Sequence, residues 1–104
     1  MERLDLLRAI RSRLAEAFST RLRRVVLYGS IARGDEGPES DVDVLVVLDG
    51  PVRLWEDTHA ALLALYPLSL QVGRYISPKV IESTRYETSN HPLVIRARAE
   101  GITL

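Results

Sequence analysis

The sequence predicts an α/β domain of the α+β kind: a small mixed sheet of three to four strands backed by helices. Three observations carry this. Residues 2–19 and 54–66 repeat apolar side chains at helical spacing. Residues 25–28 and 42–48 are short apolar runs of strand character, each closed by Gly or by Asp-Gly-Pro. The segments follow one another as αβαβαβαα within 104 residues, a length that suits one domain over 1–104.

In residues 2–19, Leu4, Leu7, Ile10, Leu14 and Phe18 mark one helix face, with Arg and Glu between them. The basic residues Arg21, Arg23 and Arg24 follow. Val25, Val26, Leu27 and Tyr28 form a continuous apolar run, which predicts a central strand buried on both faces. Gly29-Ser30 breaks it, a short helix is expected at 31–33, and 35–40 is a turn by composition.

The best strand is 42–48. Val42, Val44, Val46 and Leu48 share one face; Asp41, Asp43, Leu45 and Val47 share the other. Asp49-Gly50-Pro51 ends it. In the 54–66 helix, Leu54, Thr58, Ala61, Leu62 and Leu65 are expected inward. A third strand is expected at 68–76, with Leu68, Leu70 and Val72 on one face and Ser69, Gln71 and Gly73 on the other. Pro78 is expected to end it and open a short helix to 83. Residues 85–90 read as loop, and 92–100 as a last helix with Pro92 near its start and Gly101 past its end.

Composition narrows the function. The 46% hydrophobic and 27% charged content is that of an ordinary soluble globular protein. The chain has no cysteine, which excludes disulfides, thiolate metal sites and cysteine nucleophiles. No apolar run reaches the roughly 20 residues that span a bilayer, and the N-terminus lacks a signal-peptide core, so a cytoplasmic protein without a membrane partner is expected. Net charge is zero but unevenly spread. Residues 1–34 carry eight Arg against three acids, residues 35–57 eight acids against one Arg, and residues 58–104 five bases against three acids. The acidic block suits a cation site. The basic N-terminal part reads as a solvated helix face or a surface for an acidic partner, and it contains no nucleic-acid motif.

The acidic block also holds the chemistry. A glycine after a buried strand lets the backbone turn and approach a ligand, and free N–H groups there receive a phosphate. Asp41 and Asp43, two apart on a strand, project from one face. Left alone they repel, and one tends to hold a proton; a Mg²⁺ between them removes that cost. The glycines at 29, 34 and 37 match neither a Walker A loop nor a dinucleotide fingerprint. His59 and His91 lack partners at ligand spacing and read as structural. Trp55 and Tyr66 read as core or helix–sheet packing; Tyr28 reads as core packing, favoured over a place beneath a bound nucleotide.

Gly29-Ser30, Arg33-Gly34 and Ser40-Asp41-Val42-Asp43, set between two apolar strands, resemble the minimal nucleotidyltransferase (MNT) group of the DNA polymerase β nucleotidyltransferase superfamily. The specific match covers about residues 25–50. The resemblance implies that Gly29 and Ser30 bind the triphosphate of ATP or another nucleoside triphosphate. It implies that Asp41 and Asp43 hold catalytic Mg²⁺. Arg33 is implied near phosphate, or in a salt bridge with the acidic turn. The group pairs with HEPN-type toxin partners in toxin–antitoxin modules. AMP transfer to a tyrosine of that partner is therefore one implied function, and neutralisation by binding alone is the other. The group also carries a third carboxylate on the next strand. The strand expected at 68–76 has no Asp or Glu, and Ser69 or Gln71 has the facing to take that place. A homo-oligomer is left open.

Overall fold

The structure, a computed structural model, describes residues 3–29 and 41–104. Its elements are α1 (Arg3–Phe18), a 3₁₀ turn (Ser19–Arg21), β1 (Leu22–Tyr28), β2 (Val42–Leu48), α2 (Leu54–Val72), β3 (Ile76–Glu82), α3 (Ser83–Thr88), α4 (Pro92–Glu100) and β4 (Ile102–Thr103). The sheet order is β3-β2-β1-β4. β1 runs antiparallel to both β2 and β4, and β2 runs parallel to β3. This is the mixed four-stranded sheet with helices that the sequence predicts.

Helices cover both faces. On one, Val25, Leu27, Val42, Val44, Val46 and Leu48 pack against Ile10 and Leu14 of α1 and Ala61 and Leu65 of α2. On the other, Val26, Tyr28, Leu45 and Val47 pack against Tyr86 of α3 and Val94 and Ala97 of α4. β1 and β2 are thus apolar on both faces because each face meets a helix. In α1 the buried residues are Leu6, Ile10, Leu14 and Phe18, while the expected Leu4 is 57% exposed and Leu7 is half-buried.

The third strand lies further along than the sequence suggests. α2 does not stop near Tyr66; it continues through Pro67 to Val72. Ala61, Leu65, Leu68 and Val72 fall on one stripe at helical spacing, and tertiary burial of Leu68 outweighs the cost of Pro67. The stop is Gly73, left-handed at φ +69°, whose N–H donates to the Ser69 carbonyl. Ser69 is therefore in the last turn of α2, where its Oγ accepts from the Ile76 N–H at 3.2 Å. Strand pairing begins at Ile76 and runs through Pro78, tolerated because β3 is an edge strand. Residues 83–88, expected partly as loop, form α3 around the buried Tyr86.

One ion pair ties the start of β1 to the start of α2. Arg21 donates from both terminal nitrogens to the two oxygens of Asp57, each at 2.9 Å. Asp57 also accepts from the Arg53 N–H at 3.0 Å, closing the first turn of α2. The Arg21 hydrogen bonds, against a smaller desolvation cost, hold the Asp57 carboxyl below the usual carboxylate range. Asp57 therefore contributes stability in full above about pH 4, lost as pH falls through its lowered native value. Asp57→Ala is expected to cost about 2 kcal/mol and lower Tm by roughly 10 °C. Asp57→Asn should cost less and flatten the acid limb of a stability–pH profile, measured by urea unfolding between pH 3 and 7.

Candidate active site

β1 ends and β2 begins side by side, with Tyr28 paired to Asp43. Gly29, one residue past β1, has φ +77°. A Cβ there would lie 2.5 Å from Oδ2 of Asp43, so the bare glycine leaves the room that the carboxylate occupies. The Val42 N–H donates to the Tyr75 carbonyl at 2.9 Å, fixing where β2 starts beside β3. Asp41 immediately precedes β2, is exposed, and raises the carboxyl of Asp43 by its charge.

Burial is the first cause of that rise and Asp41 the second; Lys79 opposes both. The repulsion read from the sequence therefore reaches Asp43. A cleft of about 570 Å³ opens here, a size that accommodates a nucleotide. Tyr28, Gly29 and Asp43 line its sheet side, and His91, Leu93 and Arg96 line its α4 side. Pro92 opens α4, and His91 caps it, its Nδ1 accepting from the Leu93 N–H at 3.2 Å. Arg98 anchors α4 to α3, donating to the Tyr86 and Ser89 carbonyls at 2.6 and 2.9 Å.

Of the residues singled out by sequence, the structure brings together Gly29, Asp41 and Asp43. Ser30 and Arg33 lie outside the described residues. His91 caps a helix, as a structural role requires, but it also lines the cleft, and Arg96 adds a cation that no motif announced. Trp55 and Tyr66, expected in the core, are 79% and 61% exposed. His59 is exposed and stacks on Trp55. Tyr28 is buried in the second core and floors the cleft as well.

The place beside Asp43 on the third strand is also reassigned. Ser77, not Ser69 or Gln71, pairs with Asp43, and Lys79 follows on the same face. Glu82 sits at the far end of β3 beside Leu48. Glu87 faces Arg24 at 3.7 Å. Among the described residues no group of three or more His, Cys, Asp or Glu converges.

Burial, with the Asp43 charge second, pushes the Tyr28 phenol up to about 12. The native state thus favours the neutral phenol. That stability is complete below pH 10 and declines as pH rises from 10 toward 12. Tyr28→Phe is expected to remove this alkaline loss, and the difference between the absorbance titrations of wild type and variant should show the Tyr28 phenol ionising well above pH 10.

The model of the nucleotidyltransferase domain family matches residues 7–102. The chain belongs to this family. A candidate protein adenylyltransferase of Methanocaldococcus jannaschii is 33% identical over 84 residues, covering 81% of this chain and 84% of that protein. Spectinomycin adenyltransferase from Enterococcus faecialis, solved with ATP and spectinomycin, superposes with a TM-score of 0.67 at 23% identity. The match covers 88% of this nucleotidyltransferase but 38% of that chain, so this chain spans well under half of that enzyme. A chain of the toxin–antitoxin MntA-HepT superposes with a TM-score of 0.51 at 15% identity, over 98% of this chain and 70% of that one. The two solved structures establish the fold. The family match and the M. jannaschii relative establish the enzyme class, nucleotidyltransferase, in agreement with the resemblance drawn from Gly29 through Asp43. Among the described residues, no helix of this nucleotidyltransferase is long and apolar enough to cross a membrane.

Proposed function

We propose that this nucleotidyltransferase moves AMP from ATP to a tyrosine hydroxyl of a HEPN-type protein partner in the cytoplasm, using Mg²⁺, and thereby acts as an antitoxin. One observation carries the reading: the antiparallel pairing of β1 with β2 sets Gly29 against Asp43 in the wall of a nucleotide-sized cleft, with Asp41 just before β2. The donor set fits a hard divalent cation. Asp41 and Asp43 lie two residues apart at the start of β2, and burial together with the Asp41 charge raises the Asp43 carboxyl, a cost that a bound cation would offset. When bound, Mg²⁺ supplies charge stabilisation at phosphate oxygens.

The chain's own residues do the rest. Gly29, with Ser30 following, receives the triphosphate. Arg96 and His91 face the same cleft with groups that pair with phosphate. Arg33 is assigned to phosphate as well. The acceptor oxygen bonds to the α-phosphorus, the bond to the β-phosphate bridge breaks, pyrophosphate leaves and the hydroxyl proton is released. The M. jannaschii relative's description as a protein adenylyltransferase supports a protein acceptor, and the MntA-HepT likeness supports a toxin partner.

A second reading rests on β3. Ser77 and Lys79 stand where the resemblance implies a third carboxylate, so a weak or inactive enzyme could neutralise its partner by binding alone. Transfer of label from α-³²P ATP to a co-expressed HEPN-type partner separates the two. Label that is lost in the Asp41→Ala/Asp43→Ala variant supports transfer. An intact complex without label in either protein supports binding alone.

A further inference from the structure

α2 has a second apolar face. Asp57, Ala61, Leu65 and Leu68 point inward. Outward, Trp55, His59, Leu63, Tyr66 and Leu70 succeed one another three or four residues apart, the spacing that aligns side chains on a helix. Trp55, Leu63, Tyr66 and Leu70 are 79%, 62%, 61% and 65% exposed. His59 is exposed too, its ring 6.5 Å from that of Trp55 and nearly parallel to it. A single exposed leucine needs no explanation, but four large apolar side chains along one line of one helix mark an interaction face. Residues 58–73 contain no Asp, Glu, Lys or Arg, whereas a solvated helix face normally carries them.

We propose that this face docks a second copy of the same chain, with the two α2 helices antiparallel about a two-fold axis beside Leu63. Sequence spacing supports self-pairing. In that arrangement Trp55 meets Leu70 of the second copy, His59 meets Tyr66, and Leu63 meets Leu63, so each half supplies what the other lacks. The absence of charge favours a self-copy over a strongly acidic or basic partner. Along 58–73 no like charges meet across the axis, and a charged partner finds no counter-charge on that stretch of the helix. The stripe offers on the order of 500 Å² per protomer from its large side chains. Flanking residues bring it toward the roughly 800 Å² per partner of a standard interface. α2 covers the sheet face opposite α3 and α4, so dimerisation leaves both clefts open.

The test is sedimentation velocity on the whole chain at concentrations up to on the order of 100 µM, with Leu63→Glu beside wild type. Wild type is expected to dimerise, and Leu63→Glu to weaken dimerisation by about 100-fold, because two carboxylates meet at the axis. Trp55 is the only tryptophan, so its emission should shift to the blue with concentration in wild type and not in the variant. The chain has no cysteine, which makes crosslinking a clean second measurement. Leu63→Cys should oxidise to a covalent dimer much faster than Arg13→Cys on exposed α1. Should Leu63→Glu fail to fold, Leu70→Lys takes its place, with crosslinking as the deciding result. A wild type that stays monomeric at the highest concentration overturns the proposal. So do equal crosslinking by the two cysteine variants, and dimerisation undiminished by a charge at Leu63 or Leu70. A monomer that captures a foreign helix on this face also overturns it, since the occupant is then not a second copy.

Discussion

Replacing Asp43 with asparagine is expected to lower kcat/KM for nucleotidyl transfer by about 1,000-fold or more while making the metal-free protein slightly more stable. The two effects have one origin. Asp43 is held by burial and by Asp41 in a setting that disfavours its charge. Its folded-state pKa is raised, so the penalty on the native state is absent in acid and appears as pH rises through the carboxylate range. Asparagine keeps the shape and removes the penalty. The gain at pH 7 should be below about 1 kcal/mol because the site is partly solvated, and it should vanish below about pH 4. Thermal melts at pH 7 and pH 4, with and without Mg²⁺, check both halves. Mg²⁺ should raise the Tm of wild type and leave Asp43→Asn unmoved. Equal Mg²⁺ shifts in the two proteins would remove Asp43 from the metal site.

The second large effect belongs to Gly29→Ala, expected to cut activity by about 100-fold at a stability cost of about 1–2 kcal/mol. The strain comes from φ +77°, where a side chain is disfavoured. The activity loss comes from the new methyl, which would lie 2.5 Å from Oδ2 of Asp43. The carboxylate is the mobile end of a side chain, so it rotates away, and the proposed cation ligand is displaced while the fold survives. Gly73→Ala separates the two causes. Gly73 has φ +69° but nothing within 4 Å of an added Cβ. It should cost about 1 kcal/mol and leave transfer unchanged. Parallel urea melts and α-³²P ATP transfer assays on both variants make the comparison.

The juxtaposition of Gly29 and Asp43 in the candidate site was legible because its geometry is local. A glycine ending one strand and two aspartates opening the next need only an antiparallel pairing to come together, and β1 and β2 supply it. The cleft's other wall was not legible. His91 and Arg96 reach the site only because α4 packs on the second sheet face through Val94 and Ala97, a contact more than 60 residues distant from Gly29 in sequence. Ser69 and Gln71, expected beside the aspartates, gave way to Ser77 and Lys79 for a related reason. Leu68, Leu70 and Val72 alternate as a strand does, yet Leu68 and Val72 also continue the helical stripe of Ala61 and Leu65. Short apolar runs satisfy both periods, and only burial decides between them.

By itself, then, the sequence determined α1, β1, β2, α4 and the meeting of Gly29 with Asp43. These rest on side-chain period, glycine freedom and carboxylate spacing, which act within a few residues. The tertiary structure decided where α2 ends, which residues β3 places beside Asp43, that β4 closes the sheet, and that Trp55 and Tyr66 face outward. Those outcomes depend on hydrogen bonds and apolar surface shared between distant segments, where the free energy of burying Leu68 outweighs a local proline and leaves the far side of α2 uncovered.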